Sequence, residues 1–488
     1  MPTRENDAAI LPPYLSEPPP NRTDATYSKR PTPRSQGRRD LFITAAGLVG
    51  ACLISSRSAK ADVPLESASA ETDVVDVRTF GAELNGINDD SKAFMAAYNS
   101  MLVNGHPMGT LLVPVGTAYL GSGLTFNLGY PDPGDNYGGG AGEHFAFVTH
   151  GVLKPAAGIG TAVLVENGYS PVIDIKFFGG GSAPDVALAL QGLVGASVAV
   201  EGRNFGGTLL QADATGDTTK HVRAVNYMSV CAINCGRAIN FKYIEAFGQI
   251  ENVVDFNCVN GSYFGYCEDI GIGHYENYSP ATQSVGLFFE QCNGLHLDCV
   301  SLGSSATEAL MKITGGDFGY IHELRAGGWQ GSIPGGCLKL MDVKSLDIGF
   351  LETFTSPVGL HVMGCGKIAI GTHRSLTGDY NAVLIEAGSV FTTAVVHISK
   401  AMYYYTSYEA VKVAGSVTGG RLVIGGEIEL EQVMNPAEGY TILSASPGFY
   451  IYAEGLQKVY LSFLLKAFST PNNAALVHVT GGAVSNWP

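Results

Sequence analysis

The sequence predicts an all-β solenoid, in which short parallel strands wind into one long coil. Three observations carry this. Glycine is abundant (63 residues) and charge is sparse (15 %) in a chain of 488 residues that is 45 % hydrophobic. That mix suits tight turns around a long apolar core and is too apolar for disorder. Short apolar strands recur at near-regular intervals. After residue 103 no helical run of ten or more residues separates them, as a doubly wound α/β fold would require.

Residues 1–34 are rich in Pro, Arg and Ser and have no apolar periodicity, so they read as disordered. The order that follows is that of an export signal. Arg38-Arg39 precedes an apolar run from Leu41 to Ile54, and Ala59-Lys60-Ala61 ends it as a small-x-small cleavage site. The paired arginines resemble a twin-arginine signal, which implies the twin-arginine export machinery as a partner and a periplasmic or secreted product. The apolar run is too short to span a membrane, and no later stretch is long and apolar enough. The expected division is therefore 1–61 as leader and 62–488 as one solenoid domain.

Residues 1–61 hold nine Lys or Arg against five Asp or Glu, which leaves −19 on the rest of a chain whose formal net charge is −15. Such acidity disfavours nucleic acid as a partner, because its recognition needs basic patches. Of nine cysteines, Cys52 lies in the leader. The others (Cys231, Cys235, Cys258, Cys267, Cys292, Cys299, Cys337 and Cys365) form no C-x-x-C pair. No metal site is expected from them; they read as small buried hydrophobes.

The stretch Val77-Arg78-Thr79-Phe80-Gly81-Ala82-Glu83-Leu84-Asn85-Gly86-Ile87-Asn88-Asp89-Asp90-Ser91-Lys92-Ala93 reads as a strand, a Gly-rich turn and a helix start. Phe94, Tyr98, Met101 and Leu102 continue at helical spacing, giving a helix near 91–103. Gly109–Tyr119 then reads as strand, Pro-Gly break and strand. Together these resemble the N-terminal motif of the pectate-lyase-like superfamily, which includes glycoside hydrolases, polysaccharide lyases and tailspikes; Asn85 departs from the usual Asp. The resemblance covers about 50 residues closely. It implies a right-handed parallel β-helix, a polysaccharide partner, and the homotrimer that tailspikes form as one open oligomeric state. Asp89 and Asp90 read as helix caps, not as a catalytic pair.

Taking Leu287, Leu310, Leu338, Leu360, Val383, Val411, Ile442 and Leu476 as equivalent gives spacings of 23, 28, 22, 23, 28, 31 and 34. The shorter values fit one coil of a solenoid capped by the helix near 91–103; the longer ones imply inserted loops. Cys292 and Cys365 share an offset three coils apart, too far for a disulfide.

Coils stack about 4.8 Å apart, so equal offsets line up along a face. A loose polar column results: Asp298, His322-Glu323 with Arg325, Glu352, His373-Arg374, His397 with Lys400, and Glu427 with Glu429. Glu323 and Glu352 on neighbouring coils fit a glycosidase carboxylate pair, one protonating the leaving oxygen and one activating water or attacking the sugar. Arg325 and Arg374 suit a uronate or a hydroxyl pair, and His373 suits a general base. A second cluster, Tyr263, Tyr266, Glu268, Asp269, His274, Tyr275, Glu276 and Tyr278, offers aromatic platforms and acids for sugar binding. Glu268 and Asp269 are adjacent, so on a strand only one would face the substrate.

Polygalacturonase and pectate lyase motifs, P-loops and G-x-S-x-G are all absent. The expected function is an exported glycoside hydrolase with no cofactor. The alternatives are a lyase, with Ca²⁺ implied, a uronate epimerase, or a non-catalytic polysaccharide-binding scaffold.

Overall fold

A computed structural model describes residues 74–129, 145–180, 184–245, 248–317, 319–328, 336–404, 411–414, 417–431, 451–454, 458–469, 477–480 and 483–485. The chain divides into two units, Met1–Ala70 and Glu71–Pro488. All described residues lie in the second, so the leader expected at 1–61 falls outside them. Among the described residues no helix is long and apolar enough to cross a membrane.

Among the described residues the second unit forms a 27-stranded sheet in which every pairing is parallel, beside a two-stranded ribbon of Leu102–Val103 and His106–Pro107. Strands pair with those about one coil further on, so the sheet closes on itself as a parallel β-helix. Parallel crossovers take the right-handed form. One row runs through Ser197–Arg203, Tyr227–Ile233 and Gln249–Phe256 into residues 271–279, 295–302, Gly319–Gly327 and 347–354. A second row runs through Thr208–Asp213, Arg237–Lys242 and Ser262–Gly265 into residues 287–290 and 311–314.

A single coil cannot bury its own inward side; stacking like upon like does so. Ile250, Ile272, Leu297, Ile321 and Ile348 occupy one inward column in register, and all are buried. Phe241, Phe264 and Phe289 form another, their rings 5.5 and 5.0 Å apart.

Helix α1 (Ser91–Ser100) closes the N-terminal end, stopping short of residue 103. It buries Phe94, Ala97 and Tyr98 on one face. Phe94 meets Phe147 edge-on at 6.3 Å, and Tyr98 tilts against Phe126 at 5.0 Å. Asp89 Oδ1 accepts the amides of Ser91 (3.0 Å) and Gly121 (2.8 Å), capping the helix. Asp90 accepts those of Glu83 and Leu84 instead, so both acids hold backbone turns.

The repeat needs small corrections. Leu287 pairs with Met311 rather than Leu310. Val411 pairs with Ile451, and Ile451 with Val477; Ile442 and Leu476 lie outside the described residues. All eight cysteines of the second unit are free; six are buried, while Cys231 and Cys299 are half-exposed. The strands of the first row also turn a corner at which two consecutive residues face outward. Asp298-Cys299 and His322-Glu323 are such pairs, between buried Leu297 and Val300 and between buried Ile321 and Leu324. Beyond such a corner every side chain is shifted by one, which exchanges inside and outside.

Candidate active site

The expected carboxylate pair and its arginines do come together. Arg325 and Glu352 are in register on neighbouring coils. Arg325 Nε donates to Glu323 Oε1 at 2.5 Å and lies 3.8 Å from Glu352 Oε2. Arg374 Nη1 donates to the other oxygen of Glu352 at 2.9 Å. The result is an ion ladder over three coils, Glu323–Arg325–Glu352–Arg374. Two carboxylate oxygens that share Arg325 can be no further apart than those two contacts added, an upper bound that admits the roughly 5–5.5 Å of retaining glycosidases. Each acid is nevertheless engaged by guanidinium. Glu352 is only 13 % exposed, while the Arg325 and Arg374 side chains remain 43 and 41 % exposed. The ladder therefore presents two oriented guanidinium groups to solvent more readily than it presents a free acid.

His373 does not join it. The corner shift turns it inward, where it is fully buried. Its ring nitrogens lie 3.4 Å from Thr353 Oγ1 and 3.3 Å from the Tyr403 hydroxyl. Burial pushes its pKa down to about 3, so it is a neutral core residue and not a general base at the surface. Arg374, one residue on, faces out.

Asp298 belongs to a different group on the near side of the same corner. His296 Nε2 lies 3.0 Å from Asp298 Oδ1, and both side chains are about half exposed. On the next coil the Tyr320 hydroxyl lies 3.2 Å from His322 Nδ1. His296 and Tyr320 are in register with ring centroids 5.4 Å apart, and Tyr320 is in register with exposed Asp347. Asp298 and His322 follow the aligned Leu297 and Ile321; Gly273 and Gly349 follow the aligned Ile272 and Ile348. The acid–imidazole column is thus flanked by bare backbone. A Cβ built on Gly349 would stand 2.7 Å from the His322 carbonyl, and one on Gly371 2.5 Å from that of Gly349. His322 was expected in the polar column, but its grouping with His296 and Tyr320 was not. The signal was an i, i+2 repeat of polar residues about the inward Leu297 and Ile321.

The tyrosine cluster disperses. Tyr275 is fully buried, its hydroxyl donating to buried Asp255 at 3.1 Å, and desolvation holds it well above its usual pKa. Tyr263 donates to Glu290 at 2.6 Å on the other row of strands. Tyr278 stacks on Phe256 at 5.8 Å, at the far end of its strand. Only Tyr266 is an open platform: it is 43 % exposed and stacks flat on Tyr243 at 4.9 Å. Glu268 and Asp269 follow it in a turn, where Asp269 has φ 53°. Strand alternation does not apply there, and both are exposed. His274, in register with Cys299, is raised to about 9 by hydrogen bonding to the Cys299 thiol and to Glu276. It adds a cation two coils before the ladder. The side chains of Glu427 and Glu429 lie outside the described ones; His397 and Lys400 are exposed.

No three His, Cys, Asp or Glu side chains gather to hold a metal among the described residues.

No family model matches the chain, and no curated protein does. Three solved structures give the nature of the likeness. The Agl-KA catalytic domain is 16 % identical (TM-score 0.36), over 86 % of this chain and 69 % of that one. A family 28 exopolygalacturonase of Yersinia enterocolitica is 11 % identical (TM-score 0.33), over 86 and 80 %. A mannuronan C-5 epimerase A-module of Azotobacter vinelandii is 12 % identical (TM-score 0.31), over 84 and 100 %. Such identities and scores assign no residue a role. By its own strand topology the chain is a parallel β-helix, the architecture its N-terminal motif implies.

Proposed function

We propose that this chain is an exported enzyme that acts on a polysaccharide by acid–base catalysis at His296–Asp298 and Tyr320–His322. One observation carries the reading: an imidazole–carboxylate pair and a phenol–imidazole pair sit side by side on adjacent coils, with their side chains exposed on one face. An imidazole serves proton transfer near neutral pH. One imidazole would take a proton from a sugar carbon beside a carboxylate, and the phenol–imidazole pair would return one to the leaving oxygen. Arg325, Arg374 and protonated His274 supply local positive charge for a uronate on an otherwise acidic protein. Tyr266, with Glu268 and Asp269, suits a sugar ring at a neighbouring corner.

Hydrolysis is the second reading, favoured by the spacing of Glu323 and Glu352. The purified chain, incubated with neutral and acidic polysaccharides with and without Ca²⁺, separates the two. Ultraviolet absorbance from unsaturated uronates supports elimination. New reducing ends without absorbance support the carboxylate pair. Binding without either product would leave a scaffold and overturn the enzymatic reading.

A further inference from the structure

Four of the eight free cysteines stand in register, two by two, on neighbouring coils. Cys235 and Cys258 follow Asn234 and Asn257, both in the left-handed region (φ 54° each). The Asn257 side chain donates to that of Asn234 at 2.7 Å. The Val259 amide donates to the Cys235 carbonyl at 2.9 Å, the parallel-ladder bond that sets Cys258 beside Cys235. The Cys235 thiol lies 3.4 Å from the Gly202 carbonyl and the Cys258 thiol 3.8 Å from that of Ala232. Gly202 and Ala232 are themselves paired, so the two side chains hold one orientation a coil apart. Their thiols are within hydrogen-bonding reach of each other.

Cys267 and Cys292 repeat this at another corner, after Tyr266 and Gln291 (φ 56° and 52°). The Asn293 amide donates to the Cys267 carbonyl at 2.9 Å. Their thiols lie over the carbonyls of the paired residues Phe241 and Phe264, at 3.9 and 3.3 Å, again within mutual reach. Neighbouring parallel strands are about 4.8 Å apart, inside the roughly 4.4–6.8 Å between Cα atoms that a disulfide spans. The other four cysteines have no cysteine opposite them. Cys231 is in register with Glu201 and Val254, and Cys299 with His274 and Glu323. The Cys337 thiol bonds to the Ala326 carbonyl, and that of Cys365 approaches the Val395 carbonyl.

We propose that Cys235–Cys258 and Cys267–Cys292 are latent inter-coil disulfides that close under oxidising conditions. In each, one thiolate attacks a small-molecule disulfide and expels a thiol, and the partner thiolate then displaces the second. Two protein thiols and one small disulfide give one protein disulfide and two small thiols. All four thiols are buried, so exchange takes place while the coils are assembling. Cys258 and Cys267 flank one strand, Ser262–Gly265. The two bonds therefore tie three successive coils together, ending on the coil of residues 271–290, the one before that of His296 and Asp298.

The test is non-reducing peptide mapping, with free thiols alkylated first. The full chain is made once in a reducing cytoplasm and once in the oxidising periplasm of a bacterial host, there behind a general secretory leader that exports it unfolded, so that the coils assemble in the oxidising compartment. The account expects 235–258 and 267–292 links in the second sample only, with Cys231, Cys299, Cys337 and Cys365 alkylated in both, and a raised unfolding midpoint. Cys258→Ser should remove only the first link and Cys267→Ser only the second. Four alkylated thiols in natively folded periplasmic protein, or links scattered among all eight, overturn the proposal. Should the exported chain not accumulate, refolding the cytoplasmic protein in a glutathione redox buffer reads the same links.

Discussion

The outward residues of the strand Gly319–Gly327 do different things on the two sides of its corner. Before the corner, Tyr320 and His322 bond to each other and face their neighbours His296 and Asp298 with ends open to solvent. After it, Glu323 and Arg325 enter a ladder whose acids are engaged by guanidinium. The two groups share a strand and differ in how fully their hydrogen bonds are satisfied. A group that already has its partners costs a broken ion pair to use as an acid or base, whereas one with an open end does not. We therefore assign proton transfer to the first group and orientation and binding to the second.

Several substitutions would break or sharpen this contrast. The largest effect is expected before the corner. Asp298→Asn keeps the shape but no longer stabilises imidazolium on His296, and should lower kcat by roughly 10²–10⁴-fold with the thermal unfolding midpoint unmoved. A fall in both together would make the pair structural. After the corner, Glu352→Gln leaves Arg325 and Arg374 without their shared carboxylate. We expect a loss of about 1–2 kcal/mol in denaturant unfolding and a rise in KM that exceeds any fall in kcat; a collapse of kcat alone would return the general-acid role to Glu352.

Inside the corner, His373 supplies a pH signature. Its folded pKa, about 3, lies below the roughly 6.5 of an unfolded histidine. The unfolded chain therefore binds the extra proton between those values. Stability from this group is complete above pH 6.5 and declines as pH falls toward 3, by about 1 kcal/mol per unit. His373→Gln should flatten that slope between pH 7 and 5; an unchanged slope would remove His373 from the core account. The smallest effect is expected at Asp342. It accepts the Ser389, Val390 and Phe391 amides at 3.1, 2.8 and 3.0 Å and is held below its usual pKa by the Ser389 side chain and those amides, against the opposing effect of burial. Its contribution is present above about pH 4 and is lost as pH falls through the lowered value. Asp342→Ala should cost about 1 kcal/mol at pH 7 and speed amide exchange at 389–391 alone.

Much of this was legible in the sequence. The recurrence of Leu287, Leu338, Leu360 and Val383 at coil spacing gave the solenoid, and Phe94 and Tyr98 at helical spacing gave the cap. Glu323, Arg325, Glu352 and Arg374 could be brought together from offsets alone because stacking preserves register. What was not legible was the corner. Two consecutive outward residues break the period of two, and nothing in the local residue types announces them. His373 was for that reason placed on the wrong side. Tyr263 to Tyr278 looked like one loop because the strand boundaries within it are short, and the fold sends Tyr263, Tyr266, Tyr275 and Tyr278 to four different environments. Cys235 and Cys258 are 23 residues apart and Cys267 and Cys292 are 25 apart, so both pairs stood at coil spacing, but the cysteines were read one by one as small buried hydrophobes.

The most direct test is the initial rate of polysaccharide turnover by His322→Ala beside that of Glu352→Gln, at saturating polymer. The account predicts that His322→Ala is inactive and Glu352→Gln keeps most of its kcat. An active His322→Ala beside an inactive Glu352→Gln would contradict it and place the chemistry on the ladder.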